Sequence, residues 1–395
     1  MAHSNEQADL IAPALLLFAS VAGFACANSK FASSYENILV SKILLSAGGS
    51  PIIDKSILLL INDGLMAIFF LFIGLELKRE ILVGELSDFR QALLPIFPAI
   101  GGMLIPALVY YSFNPIGEAS NGWGVPMATD IAFALGVLAV LGSRVPAPLK
   151  VMLAAIAIVD DLGAILVIAL FYTAKLDSQS LAMALGCFGF CIAANKLGIV
   201  KLSVYLLIGV PLWYFMLKSG VHATIAGVLL ATTIPLAPKK ISRAKLIGDI
   251  YSKAASPLDS PAVFLEKSLV KWIGFVVVPI FAFSNSGVPL NSVEFGSISI
   301  GIIAGLVLGK PIGVAGAAYL ASVLNLAELP EGTSWRQVIG IGFLSGIGFT
   351  MSLFVSSLAF ENPVLNNESR LAILIASLIA GSLGVFLLFR PLKAN

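Results

Sequence analysis

Two aspartates stand side by side, Asp160 and Asp161, within the otherwise apolar stretch IVDDLGAILVIALFY at Ile158–Tyr172. On a helix, neighbours lie about 100° apart, so two adjacent carboxylates can border one cleft without stacking on each other. Asp130 and Lys310 also fall deep in apolar stretches, and Asp63 lies nearer the edge of one. A charge near the centre of a membrane helix costs about 2.5–3.5 kcal/mol on insertion scales. Asp130, Asp160, Asp161 and Lys310, all ionised in lipid, would therefore cost on the order of 10 kcal/mol. They must face a cavity, pair with one another, or be neutral. A structural ion pair would explain Lys310 without any further role. Two adjacent acids and one lysine still leave an acid that needs a proton or a bound cation. Burial and mutual repulsion disfavour two bare carboxylates, so protonation competes near physiological pH. A hard monovalent cation wants oxygen ligands, which the two carboxylates, the Thr129 hydroxyl and opened backbone carbonyls can supply. Protons and sodium then compete for the same oxygens. If the empty, charged site cannot cross between its two accessible states, each crossing carries one or the other, and exchange becomes obligatory. Such exchange needs no ATPase, and no phosphate-binding P-loop occurs in the sequence, so the chemistry expected is that of a secondary transporter and not of an enzyme.

The elements that position these residues are membrane helices. Of 395 residues, 58% are hydrophobic and only 12% charged, against about 25% charged in a soluble domain. Mean hydropathy is +0.98. Crossing about 30 Å of hydrocarbon takes roughly 20 apolar residues. The sequence predicts twelve such spans, near 11–28, 58–77, 92–113, 123–142, 148–172, 179–197, 202–217, 220–235, 270–289, 299–324, 336–360 and 370–389. With the N-terminus in the cytoplasm, this topology puts seventeen Lys and Arg on the cytoplasmic side and six outside, Lys310 being the twenty-fourth. That asymmetry is the positive-inside pattern, and it returns the C-terminus to the cytoplasm. The stretch 38–56, with short apolar runs around Gly48-Gly49-Ser50, predicts a β-hairpin outside the bilayer. A net charge of +2 gives no reason to expect nucleic acid. Cys26, Cys187 and Cys191 sit in apolar blocks and form no disulfide framework. MAHSNEQADL lacks a basic n-region, so the first span is expected to be a retained helix.

Two spans are interrupted. The fourth opens WGVPMATDIAFALG, with Pro126 before Thr129-Asp130, and the eleventh reads GIGFLSGIGFTMSLF, with Gly340, Gly342, Gly346 and Gly348 at similar depth. Broken helices are tolerated in membranes only where protein or a water-filled cavity satisfies the freed backbone groups. Glycines alone also serve close helix packing. Here, however, each interrupted span is the middle of a three-span group, and the chain enters the two groups from opposite sides. Such paired breaks point to a transport site near the midplane. The fold expected is thus an all-α polytopic membrane protein of about twelve helices, one membrane domain over 1–395. Two inverted three-helix repeats, 92–172 and 299–389, form its ion-translocation core, and 11–77 and 202–289 are supporting or dimer-interface helices. Where two broken helices cross, like ends meet, each carrying about half a unit of charge. Asp130 would compensate facing N-termini and Lys310 facing C-termini; simple helix capping by Asp130 is compatible with this.

Several long motifs occur in order: NDGLMAIFFLFIGLELKREILVGELSDF at Asn62–Phe89, ATDIAFALGVLAVLGSRVP at Ala128–Pro146, IVDDLGAILVIALFY at Ile158–Tyr172, LKSGVHATIAG at Leu217–Gly227, GKPIG at Gly309–Gly313 and GIGFTMSLF at Gly346–Phe354. Together they resemble the NhaA family of bacterial sodium/proton antiporters over nearly the whole chain. By that resemblance, Asp160 and Asp161 match the family's ion- and proton-binding pair and are the carboxylates that hold transported Na+ or Li+. Thr129 and Asp130 match the crossing of the first broken helix, and Lys310 matches the lysine that pairs with Asp160. The resemblance further implies electrogenic exchange of more than one proton per sodium and acceptance of lithium. It also implies homodimerisation through the external hairpin, residence in the bacterial inner membrane, no cofactor, and a role in sodium and pH homeostasis. It assigns pH regulation to a cytoplasmic cluster, here Asp63, Glu76, Arg79, Glu80 and Glu266, with His222 at a further pH-linked position. The chain departs from the family where histidines commonly follow the acidic position of span nine: FLEKSLVKWIG carries Lys267 and Lys271 instead, after a loop at 239–264 longer than expected.

Two other intramembrane chemistries fit less well. A sodium/organic-anion symporter needs a cationic anchor for its substrate, and Lys310 is the sole intramembrane cation of this reading. An intramembrane aspartyl protease needs two aspartates on separate helices and a GxGD motif, which is absent.

Overall fold

The computed structural model describes residues 2–47, 50–173, 176–236, 260–327, 329 and 333–389. Its elements begin with α1 (Ala2–Ala27), α2 (Ala32–Val40), β1 (Lys42–Ala47), β2 (Ser50–Ser56), α3 (Ile57–Leu60), α4 (Met66–Val83) and α5 (Phe89–Phe113). They continue with α6 (Ile131–Leu141), α7 (Ala147–Phe171), α8 (Ser178–Lys196), α9 (Leu202–Ser219), α10 (Ile225–Thr233), α11 (Pro261–Trp272) and α12 (Val278–Asn285). The last are α13 (Ser297–Ala304), α14 (Lys310–Val323), α15 (Trp335–Ser345), α16 (Phe349–Ala359) and α17 (Pro363–Phe389). Three joints are π turns that keep the helix running: Ile61–Leu65 before α4, Ile273–Val277 before α12 and Gly305–Gly309 before α14.

The chain is mostly helical, and among the described residues eight helical stretches are long and apolar enough to cross a membrane, or ten if each bent pair is one span. One bent pair, Ile11–Ala27 with Ala32–Val40, turns through 109°, so α2 leaves the line of α1. The other, Trp335–Ser345 with Phe349–Ala359, bends by 45°, which is the interruption expected in the eleventh span. Of the twelve expected spans, the eighth and ninth fall outside this set, for physical reasons. Nine-residue α10 is only about 13 Å long, well short of a bilayer. The ninth span starts earlier than its hydropathy indicated: Ser260 caps α11 through the N–H of Val263, so Glu266, Lys267 and Lys271 are helical. The twelfth likewise begins earlier, at Pro363, which puts Arg370 two turns inside a helix and 9% exposed. The hairpin pairs Lys42 with Ser56 antiparallel and is irregular at Leu45/Ser46. It starts later than expected, because Ile38–Val40 close α2. Gly48 and Gly49, and residues 237–259 with most of the expected long loop, lie outside the described residues.

Two compact units emerge. The first comprises Met1–Asn62, Phe89–Ile168 and Val278–Asn395, and the second Asp63–Asp88 and Ala169–Val277. Of the expected core, 92–168 and 299–389 fall in the first unit. The segments expected to support it divide between the units, at 62/63 and 277/278.

In the first unit, α5 and α14 touch backbone to backbone. A Cβ on Gly101 would lie 2.3 Å from the Gly313 carbonyl, and one on Gly313 2.1 Å from that of Gly101. Small residues permit such contact, and the van der Waals packing it allows is one of the forces that associate helices in lipid. The contact fixes the start of α14, where Lys310 sits. The second unit packs α8, α9 and α10 around Tyr205, Leu212, Met216 and Leu230, with Leu71 and Leu75 of α4.

Candidate functional site

The broken fourth span is built from a ten-residue 3-10 stretch, Glu118–Met127, then Ala128–Asp130 in extended backbone, then α6. A 3-10 run of that length is unusual, since runs beyond three or four residues are uncommon. Its partner breaks at Gly346–Gly348 between α15 and α16. The two breaks bond to each other, the Asp130 N–H donating to the Ile347 carbonyl at 2.7 Å. Gly340 and Gly342 do something different. They lie within α15, where Cβ atoms would press on Leu388 and on the Pro311 backbone, so they are packing glycines and not part of the break.

At this crossing the freed backbone groups are met by side chains. Asp130 Oδ1 accepts the N–H of Phe133, capping α6, while Oδ2 accepts the N–H of Thr350 at 3.0 Å and its hydroxyl at 2.5 Å. One carboxylate thus serves the first turns of α6 and α16, both positive helix ends. Thr350 was not singled out by sequence reasoning, although it lies within GIGFTMSLF. On the other side of the crossing, the Lys310 ammonium bonds the Met127 carbonyl, where the 3-10 stretch ends. The Ser345 carbonyl, at the end of α15, lies 2.8 Å from the Thr129 hydroxyl oxygen, within hydrogen-bond reach.

Asp160 sits beside this second set. Its Oδ2 is 2.7 Å from Lys310 Nζ and 2.7 Å from Thr129 Oγ1. Thr129, Asp130, Asp160, Asp161 and Lys310 are all at most 2% exposed. A buried ion pair survives only when desolvation is offset by good geometry and added hydrogen bonds, which the threonine and the Met127 carbonyl provide. Asp160 Oδ1 has no hydrogen-bond partner among the described residues, although it is buried. Asp161 follows on the same helix, equally buried. The Asp160 carboxylate, the Thr129 hydroxyl and the Met127 and Ser345 carbonyls thus gather oxygen atoms around the Lys310 ammonium. No group of three His, Cys, Asp or Glu side chains suited to a resident metal occurs among the described residues.

The model of the family described as Na+/H+ antiporter 1 matches residues 5–388. A Na(+)/H(+) antiporter NhaA of Citrobacter koseri is 46% identical, covering 97% of this chain and 96% of its own length. That of Oleidesulfovibrio alaskensis is 45% identical over 96% and 91%, and that of Acidithiobacillus ferrooxidans 43% identical over 95% and 94%. The chain belongs to the NhaA family of Na+/H+ antiporters.

Of the residues that the NhaA resemblance links to pH response, some come together in the second unit. Arg79 Nε lies 2.9 and 3.1 Å from the two Glu266 oxygens, and its NH1 is 2.5 Å from Glu80. Glu76 is one turn before Glu80 on the same face of α4. Lys267 and Lys271 are exposed on α11, with buried Glu266 turned the other way. Asp63 lies in the π turn at the far end of the span that ends in α4, its carbonyl taking the Trp213 indole N–H. His222 Nε2 is 2.5 Å from the Tyr172 carbonyl, just before α10. Lys78 meets the carbonyls of Ala231, Thr232 and Ile234 at the opposite end of α10, so that helix, about 13 Å long, separates His222 from the Arg79 region.

Proposed function

We propose that this protein extrudes sodium, and lithium, from the cytoplasm in exchange for external protons, by alternating access at Asp160 and Asp161. The observation that carries the reading is two buried adjacent aspartates, one already paired with Lys310, beside the crossing of two broken helices. Sodium bound between the aspartates displaces their protons, and protonation in turn releases sodium. One proton on each aspartate against one sodium moves net charge, so exchange is electrogenic.

The Thr129 hydroxyl couples proton and structure. It has one hydrogen and faces two acceptors, ionised Asp160 and the Ser345 carbonyl, and can satisfy only one at a time. When Asp160 is ionised the hydrogen goes to it. When Asp160 takes a proton it becomes the donor, and Thr129 is free to bond Ser345 at the end of α15. Proton arrival therefore strengthens a contact to a broken helix.

The transporter lies in the bacterial inner membrane with twelve crossings, two inverted repeats and both termini cytoplasmic. Arg79, Glu80, Glu266 and Glu76 tune its response to pH, and the external hairpin joins two copies into a homodimer. Ile43 and Leu44 are 42% and 63% exposed there, and a two-stranded sheet has open edges on both sides. Dissipating the membrane potential at a fixed pH gradient is expected to slow sodium efflux from proteoliposomes; an unaltered rate would mean an electroneutral cycle.

A further inference from the structure

Three consecutive residues of α17, none of them part of the ion site, each hold a different helix of the first unit. Glu368 Oε1 accepts the N–H groups of Gly296 and Ser299 at 2.9 and 2.8 Å. Those are the N-cap and third position of α13, two of the four donors that a helix start leaves open, and the carboxylate meets the positive end of the helix. The Ser369 hydroxyl is 2.8 Å from that of Ser356, near the end of α16. Arg370 Nε donates to the Asn285 carbonyl at 2.6 Å, and a terminal nitrogen donates to Ser284 at 3.2 Å. Those carbonyls close α12, so the guanidinium meets the negative end of that helix. The three residues are 8%, 0% and 9% exposed.

The arrangement follows from helix geometry. Three successive residues sweep about 200° of a helix surface, so one turn of α17 can reach neighbours on several sides. Opposite charges two positions apart then serve opposite ends of the connection between α12 and α13. The residues lie well away from the aspartates: Ser299 and Lys310 are on one continuous span, Ser297–Val323, about 16 Å apart along it. A side chain at position 296 would crowd the same carboxylate, since a Cβ there would be 3.0 Å from Glu368 Oε1.

We infer that Glu368, Ser369 and Arg370 form a positioning hub that makes the ends of α12, α13 and α16 move as one body during exchange. The inference rests on the sodium/proton exchange proposed above. Through α13 the hub acts on Lys310, and through α16 on the broken helix that meets Asp130. The two sodium-binding carboxylates are on α7, which the hub does not touch in these contacts. Loosening the hub therefore slows the crossing between states and leaves sodium binding alone.

The test compares wild type with Glu368→Ala, Arg370→Met, Glu368→Gln and Ser369→Ala, purified and reconstituted in proteoliposomes. Sodium-dependent proton movement is measured against sodium concentration and pH, with detergent-extracted protein checked for a single folded species. Wild-type exchange in the same vesicles tests the functional reading separately. The expected result for Glu368→Ala and Arg370→Met is a maximal rate about tenfold lower or more, a sodium half-saturation within about twofold of wild type, and an unmoved pH midpoint. Glu368→Gln keeps an acceptor oxygen without the charge and should fall between, as should Ser369→Ala; these two carry the test if the larger changes prevent folding. A raised sodium half-saturation at unchanged maximal rate would overturn the inference in favour of binding. A shifted pH midpoint in Glu368→Gln would overturn it in favour of a proton-carrying role, and wild-type kinetics in all folded variants would remove the hub altogether.

Discussion

Asp130 has two oxygens and two helix starts to serve, and Thr350 supplies two of the donors it receives. Replacing Thr350 by valine keeps the shape and the N–H but removes the hydroxyl from a buried carboxylate. The expected cost is about 1–3 kcal/mol, because the oxygen left behind cannot turn to water. It is read as a lower unfolding midpoint in detergent, with Thr350→Ser retaining most of the stability. A valine variant as stable as wild type would show that Asp130 does not depend on this hydroxyl. The contrast between Asp130 and Thr350 also marks what can be read from sequence at this scale. A charge in an apolar stretch is anomalous and draws notice, as Asp130, Asp160, Asp161 and Lys310 did. A threonine in a membrane helix is ordinary, and only the folded partner reveals its use. Arg370 stands at the edge of its apolar run, where a charge is equally ordinary, and only the fold shows that it meets the end of α12 from inside a helix.

At the scale of elements, the breaks were legible and their construction was not. Pro126 with Thr129-Asp130, and the clustered glycines of the eleventh span, marked where continuous helices stop. Nothing in the residue pattern separated the glycines that make the break from those that pack, since both uses need only the missing side chain. The three π turns had no sequence signature either. Gly346 offers a direct test of the crossing. A Cβ there would lie 2.3 Å from the Leu306 carbonyl, which is backbone and cannot swing away. Gly346→Ala is expected to lower exchange at least about tenfold, a loss in transition-state energy of about 1.4 kcal/mol or more. Gly316→Ala in α14, where no atom lies within 4 Å of an added Cβ, is expected to exchange normally and to be as stable or slightly more so, given the better helix propensity of alanine. Equal activity in the two variants, measured side by side in vesicles, would show that the close approach at Gly346 has no bearing on transport.

For the whole molecule, the membrane class was legible in composition, while the division into two compact units was not, because it depends on which helices pack together. The hairpin was legible in kind but misjudged by a few residues, since Ile38–Val40 are as apolar as a strand and yet close α2. Because the hairpin lies far along the chain from both aspartates and exposes apolar side chains, excising residues 43–55 is expected to convert the proposed dimer to monomer on size-exclusion chromatography and to reduce exchange much less. Loss of all exchange in a stable monomer would tie the hairpin to transport itself. The central claim concerns Asp160 and Asp161, and one measurement addresses it most directly: a pH-sensitive dye in everted membrane vesicles from a host stripped of its own sodium exchangers. In vesicles carrying the wild-type protein, added sodium or lithium is expected to collapse the pH gradient and potassium to leave it intact. Asp161→Asn, inserted to the same level, is expected to show no sodium response, since a ligand oxygen and a proton carrier vanish together. A near wild-type sodium response in Asp161→Asn would contradict the site.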